Sequence, residues 1–364
     1  MSKDNNSKSP LKSIGKVLLR IVIALLIFIV AGLGILTIFE YRPADEETIE
    51  LNGTASKTLS AGDTLTVLTW NTGYGALGDN ADFFMDGGTM VTTADEARVR
   101  ENLEAMATEI NLINPDVVFL QEVDKTADRS HKIDEVAFFA DSNPDKVSSY
   151  ALNMDALFIP YPIPPIGRVK VGIQTLSAYN ASSSTRLSLP VPFKWPVSTC
   201  NFKKCLDVTR IPVQGTDSEL VLINLHLEAY DSGEGKIAQT NMLREVLQAE
   251  VNAGNYVIAG GDFNQVFSNT DTAAYPVYDG LWAPGSIDIS DFGNDFTFIT
   301  DSTVPTCRSL DKVYLGADKD TFQYYVIDGF IVSNNISINS CDTQDLDFVN
   351  SDHNPVVLSV TLHN

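Results

Sequence analysis

Short β-branched runs recur along this chain, and polar residues interrupt them at or near their ends. Asn71 directly follows TLTVLTW, Glu122 lies near the end of VVFLQEV, and His226 ends VLINLH. Asp262 and Asn264 follow YVIAGG, Asp328 sits within YYVIDGFIV, and Asp352 and His353 stand just before the last run. A buried strand that ends in an unpaired Asp, Asn, Glu or His is costly. Placement after placement of this kind therefore requires the strand ends to converge on one rim, where the polar groups meet each other or a ligand. Taken singly each has a plainer reading. Asn71 precedes Gly73 and Gly75 as a turn residue would, GGDFN fits a Gly-Asp turn, and a lone His226 fits a structural histidine. The set decides: of only four histidines, His131, His226, His353 and His363, two fall at these positions.

The runs predict an α/β layered fold. Thr64–Trp70 alternates as a strand does. From Asp95 to Asn114 the residues Val99, Leu103, Met106, Ile110 and Ile113 recur at helical spacing, one apolar stripe that Asn114-Pro115 ends. Asp116–Val123 follows as a short buried strand. Further strands are expected at Lys170–Leu176, Leu220–Leu225, Tyr256–Ala259, Tyr324–Ile331 and Pro355–Leu362. A second amphipathic helix is expected over Lys236–Val251, with Leu243, Val246, Leu247 and Val251 on one face. Between these elements LFIPYPIPPI, Leu157–Ile166, is apolar and too broken by proline for a helix. It is a loop packed on the body or an exposed apolar lip.

Residues 21–39 are free of charge and almost all apolar, close to the ~20 residues that cross a bilayer as a helix. Five basic residues and one acidic residue precede them, and an acidic stretch follows. The positive-inside bias places residues 1–20 in the cytoplasm and everything after Tyr41 on the far side. A cleaved signal peptide has a shorter apolar core, about 7–15 residues, and a small-x-small site, which Thr37-Ile38-Phe39 does not offer. The expectation is a single-pass cell-membrane protein: a cytoplasmic segment over 1–20, a transmembrane helix over 21–39, a polar stalk over 40–63 and one domain over 64–364.

From Glu40 onward there are 20 basic against 46 acidic side chains, a net charge of −26. A body this acidic repels polyanions and weighs against nucleic-acid binding, although a bound metal ion supplies positive charge locally. Lys194, Lys203, Lys204 and Arg210 form the one basic cluster that a nuclease would draw on. An exported domain permits disulfides, but Cys200, Cys205, Cys307 and Cys341 allow three connectivities, and no Cys/His cluster suggests zinc.

In order, LTWNTGYG, PDVVFLQEV, INLHLEA, IAGGDFNQ, VIDGFIVS and SDHNPV resemble the endonuclease/exonuclease/phosphatase superfamily, whose fold is deoxyribonuclease I-like, from about Thr64 to Leu362. The resemblance implies two packed, mostly antiparallel sheets flanked by helices, a four-layer α/β sandwich preceded here by the membrane helix. It implies a phosphoester hydrolase, sphingomyelinase-like or nuclease-like, using Mg²⁺, or Mn²⁺ or Ca²⁺. By the same resemblance Glu122 is the main metal ligand with Asn71 beside it, and Asp352 contributes to that metal or a second. Asp262 orients or deprotonates water, Asn264 holds a phosphoryl oxygen, and His353, oriented by Asp328, contacts the phosphate. His226 donates to a phosphoryl oxygen or acts as general acid.

Two departures concern substrate recognition. Leu225 stands where the family often has Thr, and Ser177 is followed by Ala178 where the family often has Arg. Tyr150, Tyr179 and Arg308 are candidates for substrate-facing side chains. The partner is a phosphoester: a phospholipid or sphingolipid headgroup, a nucleic acid, or a small phosphoester such as an inositol phosphate. A non-catalytic surface binding module is the alternative of a different class, and none of the eight site positions is lost as such a module would lose them.

Overall fold

The computed structural model describes residues 10–364 apart from residue 232, with side chains from residue 14 onward. Lys3 and Lys8 of the basic N-terminal segment lie outside the described residues.

The helices are α1 (Pro10–Ile38), α2 (Glu96–Ile113), α3 (Glu135–Ser142) and α4 (Glu234–Asn252). The strands up to the centre of the chain are β1 (Glu46–Ile49), β2 (Leu59–Ser60), β3 (Thr64–Asn71), β4 (Val117–Asp124), β5 (Val147–Ile159), β6 (Gly167–Ser177), β7 (Ser183–Ser188), β8 (Cys205–Gln214) and β9 (Glu219–His226). Those that follow are β10 (Tyr256–Asp262), β11 (Gln265–Phe267), β12 (Gly285–Ile287), β13 (Phe296–Ile299), β14 (Cys307–Arg308), β15 (Tyr324–Tyr325), β16 (Asp328–Ser333), β17 (Ile336–Thr343) and β18 (Val356–Leu362).

Two large sheets result. One has eight strands in the order β1-β7-β8-β9-β10-β16-β13 with β2 beside β8, and the other has six, β17-β18-β3-β4-β6-β5. All pairs are antiparallel except β9 with β10, β3 with β4, and β2 with β8.

Side-chain parity explains the layers, because successive residues of a strand face opposite sides of its sheet. On β3 and β4, Leu65, Val67, Val117 and Phe119 face inward and meet Leu220, Leu222 and Ile258 of the other sheet. Their neighbours Leu68, Trp70, Val118 and Leu120 face outward onto Val99, Leu103, Met106 and Ile110 of α2. On the far side, Val221, Ile223, Val257 and Ala259 pack under Leu243 and Leu247 of α4. Helix, sheet, sheet, helix is the four-layer sandwich expected.

Local chemistry sets the ends of α2. Asp95 accepts a hydrogen bond from the Arg98 amide at 2.9 Å, an N-cap, and Asn114, at φ 50°, closes the helix before Pro115.

Several differences from the expected elements have simple causes. Tyr324–Ile331 is two strands, β15 and β16, with Val326 and Ile327 between them. Leu157–Ile159 ends β5, so the lip proper is residues 160–166. Strands β5, β7, β8 and β17 and helix α3 were not signalled, because SSTRLS and ISINSCDT are too polar to show an apolar period. Within residues 40–63, read as a stalk, β1 and β2 are built into the eight-stranded sheet. All four cysteines are free thiols.

Helix α1 is apolar enough over Ile14–Ile38 to cross a membrane by length and composition, with a mean hydropathy of 3.1. Its last turns touch the body. The Trp195 indole N–H donates to Thr37 Oγ1 at 3.0 Å, and Lys203 pairs with Glu40 at 3.2 Å.

Candidate active site

The interior between the sheets turns from apolar to polar along the strands. Continuing the inward-facing parity beyond Val67, Phe119 and Leu222 brings Thr69 and Asn71 on β3, Gln121 on β4, and Asn224 and His226 on β9. Gln121 donates to Asn224 Oδ1 at 2.8 Å across the sheet interface. Asn224 in turn donates to the carbonyls of Leu120 and Gln174 at 3.2 and 2.9 Å. This fully partnered layer separates the apolar core from the cleft above it.

Above the layer, the strand-end residues meet. Asn71 Nδ2 donates to Glu122 Oε1 at 3.2 Å and to Asp262 Oδ2 at 3.0 Å, while its Oδ1 accepts from the Gly73 amide at 3.0 Å. His226 Nε2 lies 3.5 Å and His353 Nε2 3.8 Å from the same Asp262 Oδ2. His353 Nδ1 is bonded to Asp328 Oδ2 at 2.9 Å. Asn264 donates its backbone amide to Asp262 Oδ1 at 2.8 Å and its side-chain amide to the Leu227 carbonyl at 3.0 Å. All eight expected residues thus come to one cleft region, seven of them buried and Glu122 half-buried.

The backbone is bent to make this happen. Glu122 and Asn264 adopt φ of 55° and 52°, an uncommon region for residues other than glycine. At Glu122 the pairing of β4 with β6 shifts register, which turns its carboxylate into the cleft.

Burial and charge set the protonation states. Asp262 is pushed up to about 6, first by burial and then by the nearby Asp328 carboxylate. Asp352 is pushed up to about 7, by burial and with Glu122 adding to it. His226 is held well below its ordinary range by burial and by the Lys204 ammonium. His353 goes the other way: burial lowers it, and the Asp328 carboxylate more than reverses that.

Two buried groups of three bring their ligand atoms within 4.8 Å of one another: Cys307, Asp352 and His353, and Asp262, Asp328 and His353. The second is already joined by the His353–Asp328 hydrogen bond, and the first contains a buried thiol pushed up to about 12, a poor partner for a hard cation. The oxygens of Glu122 and Asp352 are the better donor set, with the Asn71 amide beside them donating to Glu122. Asp352 is buried with Ser351 Oγ, at 3.5 Å, as the partner of its Oδ1. A Cβ added at Gly73 would lie 2.9 Å from that same Oδ1, so the glycine keeps the space beside the carboxylate open. Two carboxylates lining one cleft, each near enough to influence the other's charge, fit a divalent cation with water completing its shell.

Of the substrate-facing candidates, Arg308 lines the cleft, its guanidinium donating to the Gly78 carbonyl at 2.7 Å. Tyr150 does not reach it: its hydroxyl donates to the Val123 carbonyl at 3.0 Å. Tyr179 packs in the inter-sheet core beyond the end of β6 that pairs with Val117, at the opposite end of β4 from Glu122.

Sequence reasoning missed Arg129. Its guanidinium holds Asp124 at 2.9 and 3.0 Å, lies 3.6 Å from the centre of the Tyr74 ring, and lines the cleft beside Glu122. Lys204, read as part of a basic groove, is instead buried under His226 and donates to the Leu227 carbonyl. Neither carries a sequence signal, since an arginine in a turn and a lysine before a strand look like any surface charge.

The cleft holds about 690 Å³, within the roughly 300–1,000 Å³ of small-molecule sites. The profile of the Endonuclease/Exonuclease/phosphatase family matches residues 68–353. No match was found among curated proteins. Among solved structures, an endonuclease/exonuclease/phosphatase from Beutenbergia cavernae DSM 12333 superimposes with a TM-score of 0.58 at 17% identity, covering 83% of this chain and 72% of that one. A family protein from Leptotrichia buccalis C-1013-b gives 0.52 at 14%, covering 82% and 100%. The human Nocturnin catalytic domain with bound sulfate anion gives 0.52 at 14%, covering 86% and 97%. At these identities the superpositions speak for the fold, and the profile match, with the site residues in place along it, speaks for the family. The chain belongs to the Endonuclease/Exonuclease/phosphatase family, whose members hydrolyse phosphoesters.

Proposed function

We propose that this chain is a membrane-anchored phosphodiesterase, its catalytic domain on the extracytoplasmic side, dependent on a divalent cation such as Mg²⁺, with Mn²⁺ or Ca²⁺ as alternatives. The observation that carries this reading is the meeting of Asn71, Glu122, Asp262, Asp352 and the His353–Asp328 pair in one buried cleft region. Glu122 and Asp352 would hold the cation with Asn71 beside them, and the cation would offset phosphoryl negative charge and acidify water.

The remaining residues handle protons and position. Asp262 takes a proton from the attacking water; held near 6 by burial, it is a better base close to neutral pH than an ordinary aspartate. His353 stays protonated on Asp328, its Nε2 donates to a phosphoryl oxygen, and its proton passes to the leaving oxygen as the other P–O bond breaks. His226, kept neutral, offers a ring N–H to a second oxygen. One N–H of the Asn264 amide is engaged by the Leu227 carbonyl, and the other steadies the phosphoryl group.

Two observations bear on the alternatives. Two of the four basic residues that a nuclease would use are paired away from the cleft, Arg210 with Glu219 and Glu250 and Lys203 with Glu40, while Lys204 lines the cleft and donates to the Leu227 carbonyl. Lys194 alone of the four is exposed. A non-catalytic module would lose one or more of the eight site residues, and all eight are present in the cleft region.

The test is hydrolysis of bis(p-nitrophenyl) phosphate by the full chain in lipid nanodiscs with Mg²⁺. Hydrolysis should stop on chelation, and Glu122→Gln should lower kcat/KM on the order of 10²-fold or more. Absence of metal-dependent turnover of this diester in the wild type overturns the reading and favours the binding module.

A further inference from the structure

The cleft does not end at the catalytic residues. From His226 an apolar path leads away from the polar floor. The Phe202 ring lies 6.4 Å from the His226 ring, and Phe202 packs on the cluster of Met154, Val169, Ile159 and Ile166. Beside it, Cys200 is joined to the Phe158 carbonyl at 3.5 Å, which brings the turn Val197–Cys200 against the end of β5. Both of these segments touch α1. Leu33 and Leu36 of α1 line the same cleft as Glu122 and His353. Opposite, Phe84 packs against Tyr161 with ring centres 5.9 Å apart.

The outer end of this path is built to meet a bilayer. Trp195, 60% exposed, bonds the end of α1, and Phe158 and Val197 lie in the two segments that touch that helix; Tyr161 and Ile163 of the lip that continues β5 are 70% and 94% exposed, and Lys194 precedes Trp195. Aromatic and basic side chains around an apolar patch mark a membrane–water interface. Leu33 lies five residues before the end of α1, about 8 Å below it at the rise of an α-helix. The cleft wall that Leu33 and Leu36 form therefore reaches down to the depth of the outer leaflet.

We propose that the outer half of the cleft is a hydrocarbon-chain site, walled on one side by the anchor helix itself, and that the substrate is a phospholipid drawn sideways from the leaflet until its phosphoester reaches Glu122 and His353. This rests on the phosphodiesterase reading of the inner half. The occupant follows from continuity. A nucleobase stacks on an aromatic ring such as Phe202 but leaves the aliphatic Val197 and Leu36 without a partner, whereas a lipid has a polar head and an apolar chain in the order the cleft presents them. The anchor then has two roles, tether and binding wall.

Chain length is the readout. The full chain in nanodiscs is given long-chain and short-chain phosphatidylcholine, the matching pair of sphingomyelins, plasmid DNA and bis(p-nitrophenyl) phosphate. The expected result is that at least one long-chain lipid is turned over at least tenfold better, by kcat/KM, than its short-chain counterpart. Leu36→Trp and Val197→Trp, which narrow the path from α1 and from the turn packed against it, should each reduce that preference at least tenfold. Equal rates on long and short chains, a preference that survives both substitutions, or cleavage of DNA with no lipid hydrolysed would each overturn the chain site. The chromogenic diester separates the two readings. If it is hydrolysed while every lipid is spared, only the chain site falls; if nothing is hydrolysed, the phosphodiesterase reading falls with it.

Discussion

Asp328 does not face the cleft opening; its carboxylate holds His353 Nδ1, and its Oδ1 is buried without a hydrogen-bond partner. Asp328→Asn keeps the shape but replaces the acceptor's charge, so His353 loses its orientation and the reason to stay protonated. The expected outcome is a fall in kcat of about 10²-fold with KM little changed, checked by steady-state kinetics on a soluble diester. A second residue-scale prediction concerns Asp86, which accepts from the Tyr230 hydroxyl at 2.9 Å and is pushed up to about 6 by burial. The folded chain therefore holds this proton more tightly than the unfolded chain, whose aspartates titrate near ~3.9. Stability from this group is present in acid and lost as pH rises through about 6. Asp86→Asn should raise the melting temperature at pH 8 and leave it unchanged at pH 4, as followed by circular dichroism. The eight strand-end residues were legible because each breaks an apolar alternation, and only a ligand or one another could compensate. Arg129, Lys204 and the Asp86–Tyr230 contact were not, because they come from turns and loops whose partners are far away in sequence.

At the scale of elements, the site depends on how closely β9 and β10 run. Gly261 has φ 148°, and a Cβ there would fall 1.9 Å from the Leu225 carbonyl oxygen. Gly261→Ala must push apart the two strands that carry His226 and Asp262. Its expected cost is roughly 4 kcal/mol or more, measured by denaturant unfolding, with activity lost in whatever folds. Gln121→Leu is milder. It removes the donor to Asn224 Oδ1 and leaves a buried acceptor unpaired, at about 1–3 kcal/mol. Elements buried on both faces, such as β3, β4, β9 and β10, announced themselves as apolar runs. The half-exposed β7 and β17 did not, since pairing with a neighbour supplies what their side chains lack. The split between β15 and β16 was hidden for the opposite reason, as the residues between them are as apolar as the strands.

At the scale of the molecule, charge sets which surfaces the domain tolerates. A body of net −26 from Glu40 onward repels anionic bilayers until salt screens it, over a Debye length of ~10 Å at 0.1 M. Hydrolysis of anionic vesicles should therefore rise with added salt, while zwitterionic vesicles show little change; a vesicle titration at two ionic strengths checks this. One consequence of topology concerns biosynthesis. Strand β18 lies in the middle of its sheet, between β17 and β3, and Asp352 and His353 stand immediately before it. A ribosome delivers the apolar helix first and these two residues after nearly all of the domain. Until they arrive, β3 lacks a neighbour and the cleft lacks both a carboxylate and a histidine. On the phosphodiesterase reading, the nascent chain stays inactive until these two residues complete the cleft.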